Sequence, residues 1–93
     1  MSYVIVLQSE AILDIQEAFE WYEIHESGLG FEFIEEIESG YLKISKHPLH
    51  YTSINQRFRR LRINRFPYLV VYEVEGNVVI INSVRHISRR PKF

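Results

Sequence analysis

The chain lacks cysteine altogether, which removes disulfides, thiolate metal sites and cysteine nucleophiles in one step. It also lacks any apolar run near the ~20 residues that a membrane helix requires. Met1-Ser2-Tyr3 opens onto sequence without the pattern of a secretion signal, so a cytoplasmic location is expected. Internal repeats, linkers, Walker-type loops, dinucleotide fingerprints and nucleophile elbows are missing too. The most informative absence is of one charge: residues 1–42 contain no lysine or arginine.

What is present fits one small domain with a single core, residues 1–93. Hydrophobic residues at 46% are too many for a disordered chain. The net charge of −1 conceals a split, since the ten acidic residues of the first 42 positions face eleven basic and two acidic ones in the rest. Such asymmetry implies a basic surface aimed at an acidic partner and an acidic back, unless the halves meet and cancel.

Tyr3 to Leu7 is β-branched and apolar and predicts a strand. Ser9 is a candidate N-cap, after which Ala11, Ile12, Ile15, Ala18, Phe19 and Tyr22 share an arc of roughly 120° on a helical wheel. A second helix is expected from near Gly30 to before Pro48, with Phe33, Ile34, Ile37, Tyr41 and Ile44 inward. The short Ser27–Gly30 connection makes the pair an antiparallel hairpin, and Gly40 allows a neighbour close approach. The helical carboxylates from Asp14 to Glu26 recur every three residues and read as a solvated spiral. Trp21 reads as rim packing.

Strands are expected over Phe58–Ile63, Tyr68–Val74 and Val78–Val84. Gly76-Asn77 suits a two-residue hairpin turn and Asn64–Pro67 a four-residue connection. The fold class is therefore α+β: an N-terminal strand, an antiparallel helical hairpin, then a three-stranded antiparallel meander. Those turns set Val74 against Val79, Tyr72 against Ile81, Ile63 against Tyr68 and Leu61 against Val70. One face then carries Leu61, Ile63, Tyr68, Val70, Tyr72, Val74, Val79 and Ile81, suited to covering by the helices. The other carries Phe58, Arg60, Arg62, Leu69, Val71, Glu73, Ile80, Asn82, Val84 and His86, and reads as a cationic, apolar binding face.

Of the four histidines, His47 and His50 flank a helix-breaking Pro48 with no further ligand nearby, and no metal or other cofactor is expected. His25 reads as a solvated residue in a helix's last turn. His86, with Arg85, Arg89 and Arg90 close in sequence, is either a proton carrier or a strand cap.

Several motifs together carry a resemblance. They are Asp14-Ile15-Gln16-Glu17-Ala18, Trp21-Tyr22-Glu23, Gly28-Leu29-Gly30 with Phe33, Arg59-Arg60, Arg65-Phe66-Pro67-Tyr68, Tyr72, and Val84 with His86, Arg89 and Pro91. Over nearly its whole length the chain resembles the RelE/ParE superfamily of bacterial toxins. The resemblance implies a type II toxin–antitoxin system, a role in plasmid stabilisation, and a cognate antitoxin as partner, with no membrane involved. Homodimer and toxin–antitoxin hetero-oligomer both stay open.

The RelE-like branch implies a ribosome-dependent mRNA endoribonuclease, in which Arg60, Arg62 and Arg89 would hold phosphate charge and His86 would move a proton. Leu69 stands where that branch has a further catalytic arginine, and Phe93 lacks a tyrosine hydroxyl. The ParE-like branch is closer and implies inhibition of DNA gyrase by binding, without catalysis. An inactive relic that only binds antitoxin is the third reading. The face expected to meet target or antitoxin comprises Phe58, Arg60, Arg62, Arg65, Leu69, Val71, Asn82, Arg85, His86, Arg89 and Arg90.

Overall fold

The structure, a computed structural model, describes residues 2–88. Its elements run β1 (Val4–Leu7), α1 (Ser9–His25), α2 (Leu29–Lys46), β2 (Thr52–Ser53), β3 (Arg59–Arg62), β4 (Tyr68–Glu75) and β5 (Val78–His86). The strands form one sheet in the order β1-β5-β4-β3-β2, with β1 parallel to β5 and the other pairs antiparallel. The α1–α2 hairpin covers one face. Strand, hairpin and meander thus appear as expected, and the sheet gains two features: the parallel β1–β5 pairing and the two-residue β2.

Turn chemistry sets the register. Gly76 takes φ +61° at the first central position of the β4–β5 turn, a conformation that costs glycine little. Val74 accordingly faces Val79 and Tyr72 faces Ile81, while Leu61 faces Val70 across β3–β4. Phe33, Ile37 and Ile44 from α2 join Leu61, Ile63, Val70, Tyr72, Val79 and Ile81 in the core. Tyr22, Phe33, Phe66 and Tyr68 add a ring cluster with edge-on contacts at the hairpin's tip, Phe33 and Tyr68 lying 5.1 Å apart.

One irregularity changes which side residues face. The register shifts between Val71 and Tyr72, so Val71 pairs with Ser83 while Tyr72 pairs with Ile81, leaving Asn82 as an extra residue in β5. Such a bulge inverts the in–out alternation beyond it. Val84 now pairs with Val70 and joins the core, and His86 pairs with Tyr68 on the helix side. Both were expected on the opposite face; the expectation assumed an unbroken pleat.

Two carboxylates of α1 are structural and correct the reading of a solvated spiral. β1 ends beside Ile81, which leaves the edge of β5 uncovered beyond that point. There Asp14 Oδ2 accepts the Val84 N–H at 2.9 Å. Glu23 accepts the N–H groups of Gly28 and Gly30, both at 2.9 Å, and so places negative charge at the α2 N-terminus. Gln8, not Ser9, holds the N-cap position of α1, and no side chain caps it.

The segment between α2 and β3 is tied down by polar contacts. The Tyr72 hydroxyl, buried against β3, donates to the Pro48 carbonyl, and Arg59 Nη1 donates to the carbonyls of Leu49 (3.2 Å) and Tyr51 (2.9 Å). Burial pushes the Tyr72 hydroxyl from 10.0 up to about 12, against a smaller lowering by Arg59. A raised native value means that folding favours the neutral phenol. Its contribution is complete below pH 10 and lost as the pH rises through about 12. Stability should therefore fall across that window in an alkaline denaturation series, and Tyr72→Phe should make the fall shallower. An unaltered slope in the variant would exclude Tyr72 as a source; Tyr22 and Tyr41, also raised by burial, would remain.

Candidate functional site: the outer sheet face

Alternation along β3 separates two functions. Leu61, with Ile63 just beyond the strand, faces the hairpin and is buried, whereas Arg60 and Arg62 point to the opposite side and are exposed. Across the sheet they meet Val71 and Leu69, and Leu69 in turn meets Arg85 on β5. With Thr52 and Ile87, the side chains of Arg60, Arg62 and Leu69 line a concavity of about 350 Å³. Ile87 is carried there by its N–H donating to the Pro67 carbonyl at 2.9 Å. A basin with guanidinium groups over apolar side chains suits carboxylates or phosphates presented beside apolar groups.

The remaining expected site residues divide. Asn82 lies on this face and donates to Glu73 at 2.9 Å, and Glu73 also pairs with Arg57 at 3.2 Å. Phe58 is half-buried, with the Arg57 guanidinium 5.0 Å from its ring centroid. Arg65 lies elsewhere: in a left-handed conformation (φ 69°), it pairs with Glu32 on α2 at 2.6 Å, which raises its pKa. Arg85 is half-buried beside Leu69. Arg89 and Arg90 lie outside the described residues, as do Pro91 and Phe93.

The apolar part of the face is not where the alternation put it. Val71 is only 2% exposed, because Arg60 and Ser83 flank it on both neighbouring strands, and Val84 has turned inward. Instead β1 supplies exposed Val4 and Val6, which pair with Val78 and Ile80. The face is thus apolar at its β1 end and cationic at its β3 end. Val4 and Val6 could be placed there only once the parallel β1–β5 pairing was known. Arg57 was likewise overlooked, lying ahead of the strand as predicted.

His86 does not join the arginines. It lines a separate groove of about 440 Å³ on the helix side, with Asp14, Glu17, Trp21, Tyr22 and Tyr68. Its Nδ1 accepts the Ser88 N–H at 3.2 Å, and its ring stands 5.2 Å from that of Tyr68. A general acid must reach the reacting oxygen directly or through one water. His86 and the Arg60–Arg62 pair thus line different concavities, one on the helix side and one on the outer face. Trp21, expected as rim packing, is exposed and stacks on His25 at 3.9 Å. Among the described residues, no group of three or more His, Cys, Asp or Glu could hold a metal ion, and no helix is long and apolar enough to cross a membrane.

A helical hairpin thus covers one side of a mixed sheet, and a cationic basin lies on the other. The sequence matches the family described as "ParE toxin of type II toxin-antitoxin system, parDE" over residues 5–91. The chain therefore belongs to the ParE toxin family. None of the curated proteins matches this sequence. Among solved structures it is similar to a chain of the chromosomal ParDE TA system from P. aeruginosa, with a TM-score of 0.79 at 14% identity. That likeness covers 94% of this chain and 98% of the other, and it establishes a shared fold.

Proposed function

We propose that this toxin acts in the cytoplasm by binding a macromolecular target, DNA gyrase, through the cationic end of its outer sheet face, and that a cognate antitoxin neutralises it. The observation that carries the reading is the pair Arg60 and Arg62, exposed beside Leu69 in a concave basin on the uncovered face. Membership of the ParE family supports the antitoxin partner. The separation of His86 from the arginines favours binding over RNA cleavage. The test is a gyrase supercoiling assay with purified protein. Supercoiling should stop at stoichiometric toxin, and His86→Ala should inhibit within about twofold of the parent, because its ring faces the other side. Unchanged supercoiling at excess toxin would refute the gyrase target. Codon-positioned cuts in primer extension on translated mRNA, lost in His86→Ala, would establish the ribonuclease reading instead.

A further inference from the structure

The groove of about 440 Å³ on the helix side has a chemistry opposite to that of the outer basin. Asp14 and Glu17 line it from α1, three residues apart and therefore neighbours on the helix surface. Asp14 is held in place by the Val84 N–H, which its Oδ2 accepts at 2.9 Å. Glu17 is exposed and makes no ion pair with any described residue. The other walls are aromatic. Tyr22 and Tyr68 stand 6.2 Å apart, His86 meets Tyr68 edge-on at 5.2 Å, and Trp21 meets Tyr22 edge-on at 5.1 Å. Trp21 is 56% exposed, and its stacking on His25 at 3.9 Å fixes the plane of the indole. Among the described residues no lysine or arginine lines the groove.

We infer that this groove binds a small linear organic dication, with an ammonium or guanidinium group at each end of a short aliphatic chain. The carboxylates of Asp14 and Glu17 take one end, and the rings of Trp21, Tyr22 and Tyr68 take the other. Ring faces attract cations through the quadrupole, indole most strongly, and carboxylates hold them by charge-assisted hydrogen bonds. Two carboxylates alone would be a solvated stretch of helix; the concavity and its rings give a cation a second point of attachment. Asp14 and Trp21 are seven residues apart, hence about 10 Å along α1, which suits two charged groups joined by about four carbons. The volume lies in the range of small-molecule sites. Charge excludes the alternatives. A phosphate or nucleotide would meet two carboxylates with no cation beside them, and an apolar ligand would strip water from Glu17 without replacing it. Arg60 and Arg62 lie on the outer face, so this ligand is separate from the macromolecular target proposed above.

Trp21 is the one tryptophan of the chain, so its emission reports on the groove directly. Agmatine, whose butyl chain carries a guanidinium and an ammonium, is titrated onto the full chain at low salt. It should change the emission saturably and bind at least ~10-fold more tightly than N-acetylagmatine, with the margin narrowing as salt rises. Succinate, of opposite charge, should not bind. Glu17→Gln should weaken agmatine at least ~5-fold. Glu20→Gln makes the same charge change outside the groove and should stay within about twofold of the parent. Trp21→Leu, followed by calorimetry in place of emission, should weaken binding ~5-fold or more. Thermal melts establish which variants are folded, and Glu17→Gln, at an exposed position, judges the site even where Trp21→Leu unfolds. Unchanged emission and no heat at about 10 mM agmatine overturn the inference. Equal binding of agmatine and its acetyl derivative overturns it too. So does equal weakening by Glu17→Gln and Glu20→Gln, which would mean diffuse attraction to an acidic helix. Agmatine binding seen only in an Arg89→Ser, Arg90→Ser variant would assign the groove to the chain's own arginines and refute a free ligand.

Discussion

Gly30→Ala is expected to lower the melting temperature by on the order of 10–20 °C. A Cβ built at Gly30 would lie 2.7 Å from the backbone carbonyl of Phe19 and 2.9 Å from both Glu23 Oε1 and Phe19 Cδ1. The Phe19 carbonyl belongs to α1 and cannot rotate away, so the helices must separate at their tightest point. Overpacking of this kind costs about 2–3 kcal/mol, and in a domain of this size each kcal/mol moves the midpoint by roughly 4–8 °C. The shift would also pull the Gly30 N–H from the Glu23 carboxylate. Gly40 supplies the control. Its built Cβ lies 3.4 Å from Ile63 and Leu61 side-chain carbons, ordinary contact, and alanine is the better helix former. Gly40→Ala should therefore stay within about 1 kcal/mol of the parent. Similar melts for both variants would mean that the hairpin does not close against α1 at Gly30.

The same local rules explain what could be read from the sequence and what could not. Periodicity located both helices because their apolar faces recur at 3.6 residues over four turns or more. Gly76 located the β4–β5 turn because few other residues accept its backbone angle, and the register of Tyr72 and Val74 followed. The bulge at Asn82 carries no comparable mark. It adds one residue among β-formers, and its reason for being there is tertiary: beyond Ile81 the β1 neighbour is gone and Asp14 takes over the edge. The sides expected for Val84 and His86, past the bulge, were inverted, which moved His86 away from the arginines. The parallel β1–β5 pairing is equally silent, since nothing in Val4–Leu7 names its partner. Arg60 and Arg62 were legible because they precede the bulge and alternate with buried Leu61 and Ile63.

Arg60→Glu with Arg62→Glu is expected to weaken target inhibition about 100-fold, or about 2.7 kcal/mol, while leaving the fold intact. Both side chains are exposed, and surface substitutions of this kind each change stability by about 0.5 kcal/mol or less. The pair forms the cationic wall of the basin whose floor is Leu69, so reversal turns attraction into repulsion for any acidic partner. The loss should appear first in the association rate and should narrow in high salt, as long-range attraction does. Arg65→Glu separates the face from charge in general. Its guanidinium is engaged with Glu32 on α2, away from the basin, so the substitution makes half the double variant's charge change without touching the proposed contact. Growth arrest and supercoiling inhibition should thus survive Arg65→Glu and fail in the double variant. If the double variant arrests growth and blocks supercoiling as the parent does, the outer face is not the target surface, however well its arginines are displayed.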